Sequence, residues 1–341
     1  MTFIVNKAGN EPIYKTLVSE VELAIRGGTL KAGEMLPSMN ELSSRLDISR
    51  ETVKKAYGIL TEKGILVPRH GKGFYAADIR TSGKLQVLVI FDKLSVYKQL
   101  LFNAFSERLG DSAQTVILNH NQSVDLLEYY LDNNLDHYDY YVVMPHFPLD
   151  KTTQERALKQ ISRIPNRKLI MLDHLQPGYN GHFGAVYQDF ENDIYYGLSK
   201  GFSREDGTLK LRVITLPSSL YGKSIRKGVE RFVEERNMPV EFLTEAPADI
   251  KPGDTFLVLN SQLDTGLVAL AHRISEAGLT IGTDVRIISY NESDMNELVL
   301  GGLTTVSTDF RQMGRLAADM ILARKPEKIH NQFDMICRST F

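Results

Sequence analysis

Beyond residue 84 the chain alternates short apolar runs with amphipathic stretches. The runs, residues 86–91, 115–119, 138–144, 168–172, 211–216, 240–243, 255–260 and 285–290, place apolar side chains at successive positions rather than at every second one. Parallel strands covered on both faces have that pattern. Between them, residues 99–109, 124–131, 225–235 and 268–277 repeat apolar positions at helical spacing, with Gly110, Pro239 and Gly278 as stop signals. This strand–helix alternation predicts an α/β fold built on doubly wound parallel sheets.

The first 77 residues follow a different pattern. Ser38 and Glu41 have the S-x-x-E spacing of a capping box, and Leu42 and Leu46 supply an apolar face behind it. Ser49 can cap a second helix, in which Val53, Ala56, Tyr57 and Leu60 recur at helical spacing and Gly64 suits a left-handed stop. Residues 65–68 and 74–76 read as two short strands joined by a glycine-rich tip, residues 69–73. Two capped helices followed by a hairpin predict a winged helix-turn-helix, a unit that reads DNA. Residues 50–75 hold six basic and two acidic side chains, +4, in a chain whose net charge is −2. The positive charge is thus concentrated where phosphates could be neutralised.

Four segments carry a family resemblance. Pro12-Ile13-Tyr14, Gly33-Glu34-Met35-Leu36-Pro37-Ser38, Ile48-Ser49-Arg50-Glu51-Thr52-Val53-Lys54-Lys55-Ala56-Tyr57 and Leu60-Thr61-Glu62-Lys63-Gly64-Ile65 resemble the GntR family of transcription regulators. The resemblance implies that Arg50, Thr52 and Lys54 approach the major groove while His70 and Gly71 at the wing tip reach the adjacent groove. Ser38, Lys55 and Lys72 complete the set of DNA-contact candidates. One departure is Asn40, which stands where the family often has Arg.

Open α/β sheets bind ligands beyond the carboxyl ends of their strands. There this chain carries Asp92, Ser95 and Tyr97, then His146, Asp173-His174, Asn260-Ser261, Asn291-Glu292 and Thr308-Asp309. The closing segment, residues 303–322 with Cys337-Arg338-Ser339, and the passage 278–291 are similar to the effector domain of LacI-type regulators and periplasmic sugar-binding proteins. Ser224-Ile225-Arg226-Lys227-Gly228 resembles that family's Arg-x-x-Gly sugar-contact helix. The implied ligand contacts are Ser95, Tyr97, His146, Asp173, His174, Arg226, Asn260, Asn291 and Thr308, in a domain of two lobes that exchange chain near Tyr187, Tyr290 and Ser307. His174 stands where Arg is frequent, Ser261 where Asp is usual and Asn291 where Asp is common. Fewer charged contacts suit a neutral pentose or 6-deoxyhexose, such as arabinose or fucose, rather than a sugar phosphate.

The expected domains are therefore residues 1–78, a linker at 79–84, and a bilobed effector and dimerisation domain at 85–341. The arrangement resembles arabinose-repressor hybrids and implies a homodimer that binds double-stranded operator DNA and represses sugar-utilisation genes. Alternatives left open are a sugar-responsive activator, or a sugar-binding protein or enzyme on the same fold. No apolar stretch nears 18 residues and no charged-then-apolar leader opens the chain, so the cytoplasm is expected, with no membrane partner. There is no G-x-G-x-x-G after a strand, no G-x-S-x-G and no H-E-x-x-H, so no catalytic residue, metal or cofactor is expected. The single cysteine, Cys337, rules out an intrachain disulfide, and its apolar neighbours predict a buried strand position.

Overall fold

A computed structural model of the chain describes residues 3, 12–26, 29–69, 71–77, 84–135, 137–203, 210–215, 219–259 and 266–341. His70, Asn260, Ser261 and nearly all of the expected linker lie outside the described residues.

The head begins with α1 (Ile13–Arg26), a helix the pattern above did not single out, followed by α2 (Met39–Leu46), α3 (Arg50–Glu62) and the antiparallel hairpin β1 (Leu66–Arg69) and β2 (Gly73–Ala76). Ser38 Oγ accepts the Glu41 amide at 3.2 Å and Ser49 Oγ accepts the Thr52 amide at 3.1 Å, so both helices start on their expected caps. Only half of the capping box forms, because the Glu41 carboxylate pairs with Arg45 one turn on. Gly64 adopts φ +69°, the left-handed conformation its position after α3 called for. The Tyr57 hydroxyl donates to the Pro37 carbonyl at 2.9 Å, and its ring meets Phe74 edge-on at 4.9 Å. One side chain thereby fixes α3 against the start of α2 and against the wing.

Lobe 1 contains β3 (Leu85–Phe91), α4 (Val96–Leu109), β4 (Ala113–Asn119), α5 (Val124–Asn134), β5 (Tyr140–Val143), α6 (Lys151–Ile161), β6 (Leu169–Asp173) and β7 (Gly184–Tyr187). Lobe 2 contains α7 (Phe190–Gly201), β8 (Lys210–Ile214), α8 (Gly222–Glu235), β9 (Val240–Leu243), β10 (Asp254–Val258), α9 (Gly266–Glu276), β11 (Arg286–Tyr290) and β12 (Thr304–Thr308). The chain then returns to lobe 1 for α10 (Phe310–Ala323) and β13 (Lys328–His330), and crosses back for β14 (Phe333–Ile336). The two six-stranded sheets run β13-β7-β6-β5-β3-β4 and β14-β12-β11-β10-β8-β9, parallel throughout except at β14. Each reverses its strand order beside its first strand, the switch point at which such sheets open a crevice.

The crossings fall after Tyr187, at Asp309 and after His330. No crossing occurs near Tyr290: Ile288, Ser289 and Tyr290 pair in register with Thr304, Thr305 and Val306, so β11 and β12 are neighbours in one sheet. Asn331 braces the three crossings, donating to Thr308 Oγ1 at 2.7 Å and to the Asp309 carbonyl at 2.9 Å while its amide reaches the Tyr187 carbonyl at 2.8 Å. Cys337 is exposed rather than buried, because β14 stops one residue earlier.

Helices α4 and α10 pack closely enough that a Cβ on Gly314 would stand 2.2 Å from the Leu101 carbonyl oxygen. Backbone cannot rotate aside as a side chain can. Gly314→Ala is therefore expected to destabilise the effector domain by about 1–3 kcal/mol, a drop of several degrees in Tm. An unchanged melting curve would show that the helices can separate freely.

Candidate functional site

The head presents its polar side through α3. Arg50 and Lys54 are exposed there, with Lys54 Nζ 3.5 Å from Glu51. The Thr52 hydroxyl lies 2.8 Å from Ser49 Oγ and shares in capping the helix. Lys55 is held 3.9 Å above the Tyr14 ring, so its charge is directed toward α1. Gly71 and Lys72 are exposed at the hairpin tip, Gly71 with φ +69°. Arg69 lies over the Tyr75 ring at 4.3 Å, which stiffens the wing. Ser38 is exposed, but its oxygen serves the α2 cap.

Five adjacent parallel strands of lobe 1 each bring a polar residue to their carboxyl ends. In spatial order these are His120 after β4, Asp92 after β3, His146 after β5, Asp173 at the end of β6 and Gln188 after β7. Lys98, in the first turn of α4, pairs with Asp92, and both side chains are buried. His146 Nε2 stands 3.0 Å from Asp173 Oδ2 and its Nδ1 4.0 Å from Asp92 Oδ2, so the imidazole lies between two carboxylates. The Gln188 amide donates to Asp173 Oδ1. Asp173 itself has φ +69°, a left-handed conformation in which an Asp is among the few side chains tolerated.

Lobe 2 supplies the cover. Phe190, the first residue of α7, and Tyr221, just before α8, stack at 4.2 Å with planes 10° apart. The Tyr221 ring meets His146 edge-on at 5.1 Å and lies 4.8 Å from His174. A polar floor from one lobe thus faces an aromatic wall from the other. In this cleft the buried Tyr221 hydroxyl and Gln188 Oε1, together with His146 Nε2 and His120 Nδ1, make no hydrogen bond with the described residues.

Burial would raise the Asp173 carboxyl, but the close approach of the His146 imidazole, the nearby Lys98 ammonium and the hydrogen bond from Gln188 outweigh it and hold the group at about 2. Asp173 is therefore ionised. Burial, with His146 nearby, lowers His174 to about 4, leaving it neutral at physiological pH. Two carboxylates against one lysine and the intervening His146 leave no excess positive charge for a phosphate or carboxylate ligand.

His120 lies stacked on Phe147 at 4.3 Å, and burial pushes it down to about 4 despite its contact with the Met144 carbonyl. Below pH 6.5 the unfolded chain takes up this proton first, so the stability is fully present above 6.5 and lost as pH falls toward 4. By pH 5 the loss from His120 alone is expected to reach about 2 kcal/mol. Melting His120→Phe beside the wild type across that range checks it, since the variant should show a flatter decline.

The remaining candidates fall elsewhere. Ser95 Oγ caps α4 through the Lys98 amide at 3.4 Å, and Tyr97 stacks on Phe310 at 5.3 Å. Thr308 is buried with its hydroxyl engaged by Asn331 and Gln332, so it braces a crossing. Asn291 directly follows β11 in a left-handed conformation, φ +75°, half-buried. Arg226 does not join the cleft group: it pairs with Glu230 at 2.7 Å and covers the Phe242 ring at 3.9 Å. The reason is spacing, since Arg226 precedes Gly228 by two residues and buried Ile225 takes the position three before it. Lys98, Gln188, Phe190 and Tyr221 were not anticipated, because each lies inside or beside a helix or crossing rather than at the end of an apolar run. No cluster of metal-ligating side chains and no helix long and apolar enough to cross a membrane occurs among the described residues.

Comparison with known proteins matches residues 13–76 to bacterial regulatory proteins of the gntR family and residues 182–338 to the periplasmic binding protein-like domain. The Arabinose metabolism transcriptional repressor of Geobacillus stearothermophilus is 22% identical across 91% of this chain and 90% of its own length. The Mannosyl-D-glycerate transport/metabolism system repressor MngR of Escherichia coli is 32% identical over 85 residues, and the match spans only 35% of that protein. Among solved structures, the trehalose repressor from Escherichia coli aligns over 74% of this chain and 100% of its own at a TM-score of 0.59 and 14% identity. A dimeric Lac repressor aligns over 75% of this chain and 98% of its own at 0.59 and 17%.

Proposed function

We propose that this chain, a GntR-type helix-turn-helix unit joined to a periplasmic-binding-protein-like domain of the LacI type, is a cytoplasmic homodimeric repressor of sugar-utilisation genes that a small neutral sugar releases from its operator. The observation that carries this reading is the cleft: an ionised Asp173 between His146 and Gln188 on one lobe, under the Tyr221 and Phe190 rings of the other. A carboxylate accepts two vicinal hydroxyls and an aromatic face covers the apolar side of a sugar ring. The buried Tyr221 hydroxyl and Gln188 Oε1 are the polar atoms that a ligand's hydroxyls would satisfy. The local charge favours an uncharged aldose, and the full-length likeness to an arabinose repressor makes a pentose the first candidate, ahead of 6-deoxyhexoses.

Arg50, Thr52 and Lys54, with Gly71, Lys72 and His70 at the wing, are proposed to contact DNA. Two copies double that surface on a palindrome. For a dimer, exposed Leu94 and Val96 at the start of α4 and Met295 and Leu298 after β11 offer apolar side chains to a second copy.

Calorimetry with L-arabinose, D-xylose, L-fucose and arabinose 5-phosphate tests the site, and only the neutral sugars are expected to bind. Repeating the successful titration with saturating operator, selected from random duplexes, tests the coupling. Sugar affinity should fall by the factor, about 5- to 150-fold, by which sugar weakens operator binding. Equal sugar affinities with and without DNA would leave a binding protein without regulation, and a rise would mean that sugar strengthens operator binding instead of releasing it.

A further inference from the structure

Helix α1 has two buried faces. Leu17, Val18, Val21 and Ala24 lie in the head's own core. Thr16, Glu20 and Leu23 recur at i, i+4 and i+7 along another stripe, and Leu23 belongs to the core of lobe 1 together with Leu85, Tyr140 and Ala317. Two lobe 1 arginines grip this helix near its two ends. The Arg167 guanidinium lies 3.7 Å from the Glu20 carboxylate and donates to the Lys15 carbonyl at 3.4 Å. Arg324 donates to Thr29 Oγ1 at 3.1 Å, just past the helix's other end. Arg324 holds a left-handed conformation, φ +54°, where glycine would be easier, so its side chain is placed at some backbone cost. Beneath them, burial pushes the Tyr140 hydroxyl up to about 12, in a field shared by Arg324, Glu20, Asp139 and Arg167.

Arg167 stands at the far end of an element that reaches the cleft, and Arg324 at the far end of one that starts beside a crossing between the lobes. Arg167 precedes β6, which finishes in Asp173. Arg324 ends α10, a helix of 14 residues, about 21 Å long, that starts at Phe310 against Tyr97 and next to the Asp309 crossing. We propose that Arg167 and Arg324 clasp α1 and fix the head to lobe 1 as one body, so that lobe closure reaches the DNA-reading face through β6 and α10 and not only through the connecting segment. For its functional consequence this rests on the regulator reading above; the contact itself does not.

The test uses the full chain carrying Cys337→Ser with Thr29→Cys and Arg324→Cys, treated with a short bis-maleimide and read by mass spectrometry. Cross-linking within one protomer is expected to be nearly complete, and to fall at least five-fold when Leu23→Glu and Arg167→Ala are added. The linked protein should keep both its affinity for the selected duplex and the response of that affinity to sugar. Arg167→Ala with Arg324→Ala, in the otherwise native chain, should keep sugar binding while the response shrinks to within about two-fold of none. A Thr29→Cys, Arg324→Cys pair that fails to cross-link while Leu23 and Arg167 are intact overturns the docking of α1 on lobe 1 whatever the DNA data show, and a full sugar response in the double alanine variant overturns the clasp. A chain that cross-links but binds no duplex leaves the clasp standing and sinks the regulator reading instead.

Discussion

Asp173→Ala is expected to weaken binding of the neutral aldose by about 3 kcal/mol or more, a hundred-fold or greater loss. The side chain does three things at once in the cleft. It is the ionised acceptor facing the aromatic wall, it positions the His146 imidazole at 3.0 Å, and it holds the Gln188 amide. Removing it deletes a charge-assisted acceptor and leaves Lys98 and His146 sharing one carboxylate, Asp92. Calorimetry at pH 7 measures the loss, with a melting curve to confirm folding. Arg226→Ala is the informative comparison. Because Arg226 is occupied by Glu230 and Phe242, its removal should change sugar affinity by less than about three-fold, the size of a surface effect. Should Arg226→Ala be the damaging variant and Asp173→Ala the silent one, the cleft described here would not be the ligand site.

Operator binding should respond as strongly to the recognition helix. With Arg50 and Lys54 both replaced by Ala, affinity for the selected operator is expected to drop about 100- to 1000-fold if, as proposed, Arg50 meets a base edge and Lys54 a phosphate in each head. The salt dependence separates the two. Loss of one phosphate contact per head, two per dimer, should flatten the log–log slope by about two units, whereas losing the Arg50 base contact should relax sequence preference. Lys55→Ala should leave that slope nearly unchanged, its charge being committed to the Tyr14 ring. Equal operator affinity for the double variant and the wild type would mean that α3 does not enter the groove.

The sequence was most legible where local rules act alone. Ser38, Ser49 and Gly64 were readable as helix ends because caps and left-handed stops depend on a few neighbouring residues, and all three take those roles. All eight apolar runs became strands, six of them inside the sheets and mostly buried, while β4 and β9 lie at the edges and are only partly covered. Strand β12 was less so. Its sequence, Thr-Thr-Val-Ser-Thr, is polar yet buried, because distant partners satisfy the hydroxyls: Thr304 on the Arg338 carbonyl, Thr305 on Glu292, Thr308 on the Gln332 carbonyl. No local pattern announces such partners. The same limit governs the cleft. Asp173, His146 and His174 were visible as strand-end residues and do come together, whereas Tyr221 and Phe190 join them only through the packing of one lobe against the other. Arg226 shows the opposite error, a motif matched by type but displaced by one residue, which on a helix turns a side chain by about 100°.

The threefold crossing of the chain also governs how this protein is made. Lobe 1 is not a continuous stretch: its core needs Phe310, Met313, Ala317 and Ile321 from α10 to cover Val87, Val89 and Phe91 of its first strand. Some 220 residues separate the two, so at about 5–20 residues per second a ribosome delivers the lid of that core roughly 10–45 s after its floor. The head, by contrast, draws its core from the first 76 residues and can fold as soon as it emerges. During that interval a nascent chain can carry a finished DNA-reading unit ahead of an incomplete regulator, and lobe 1 stays exposed to chaperones and proteases until α10 has been made. Truncations ahead of α10 are expected to cost the cell the whole effector domain rather than a terminal piece of it.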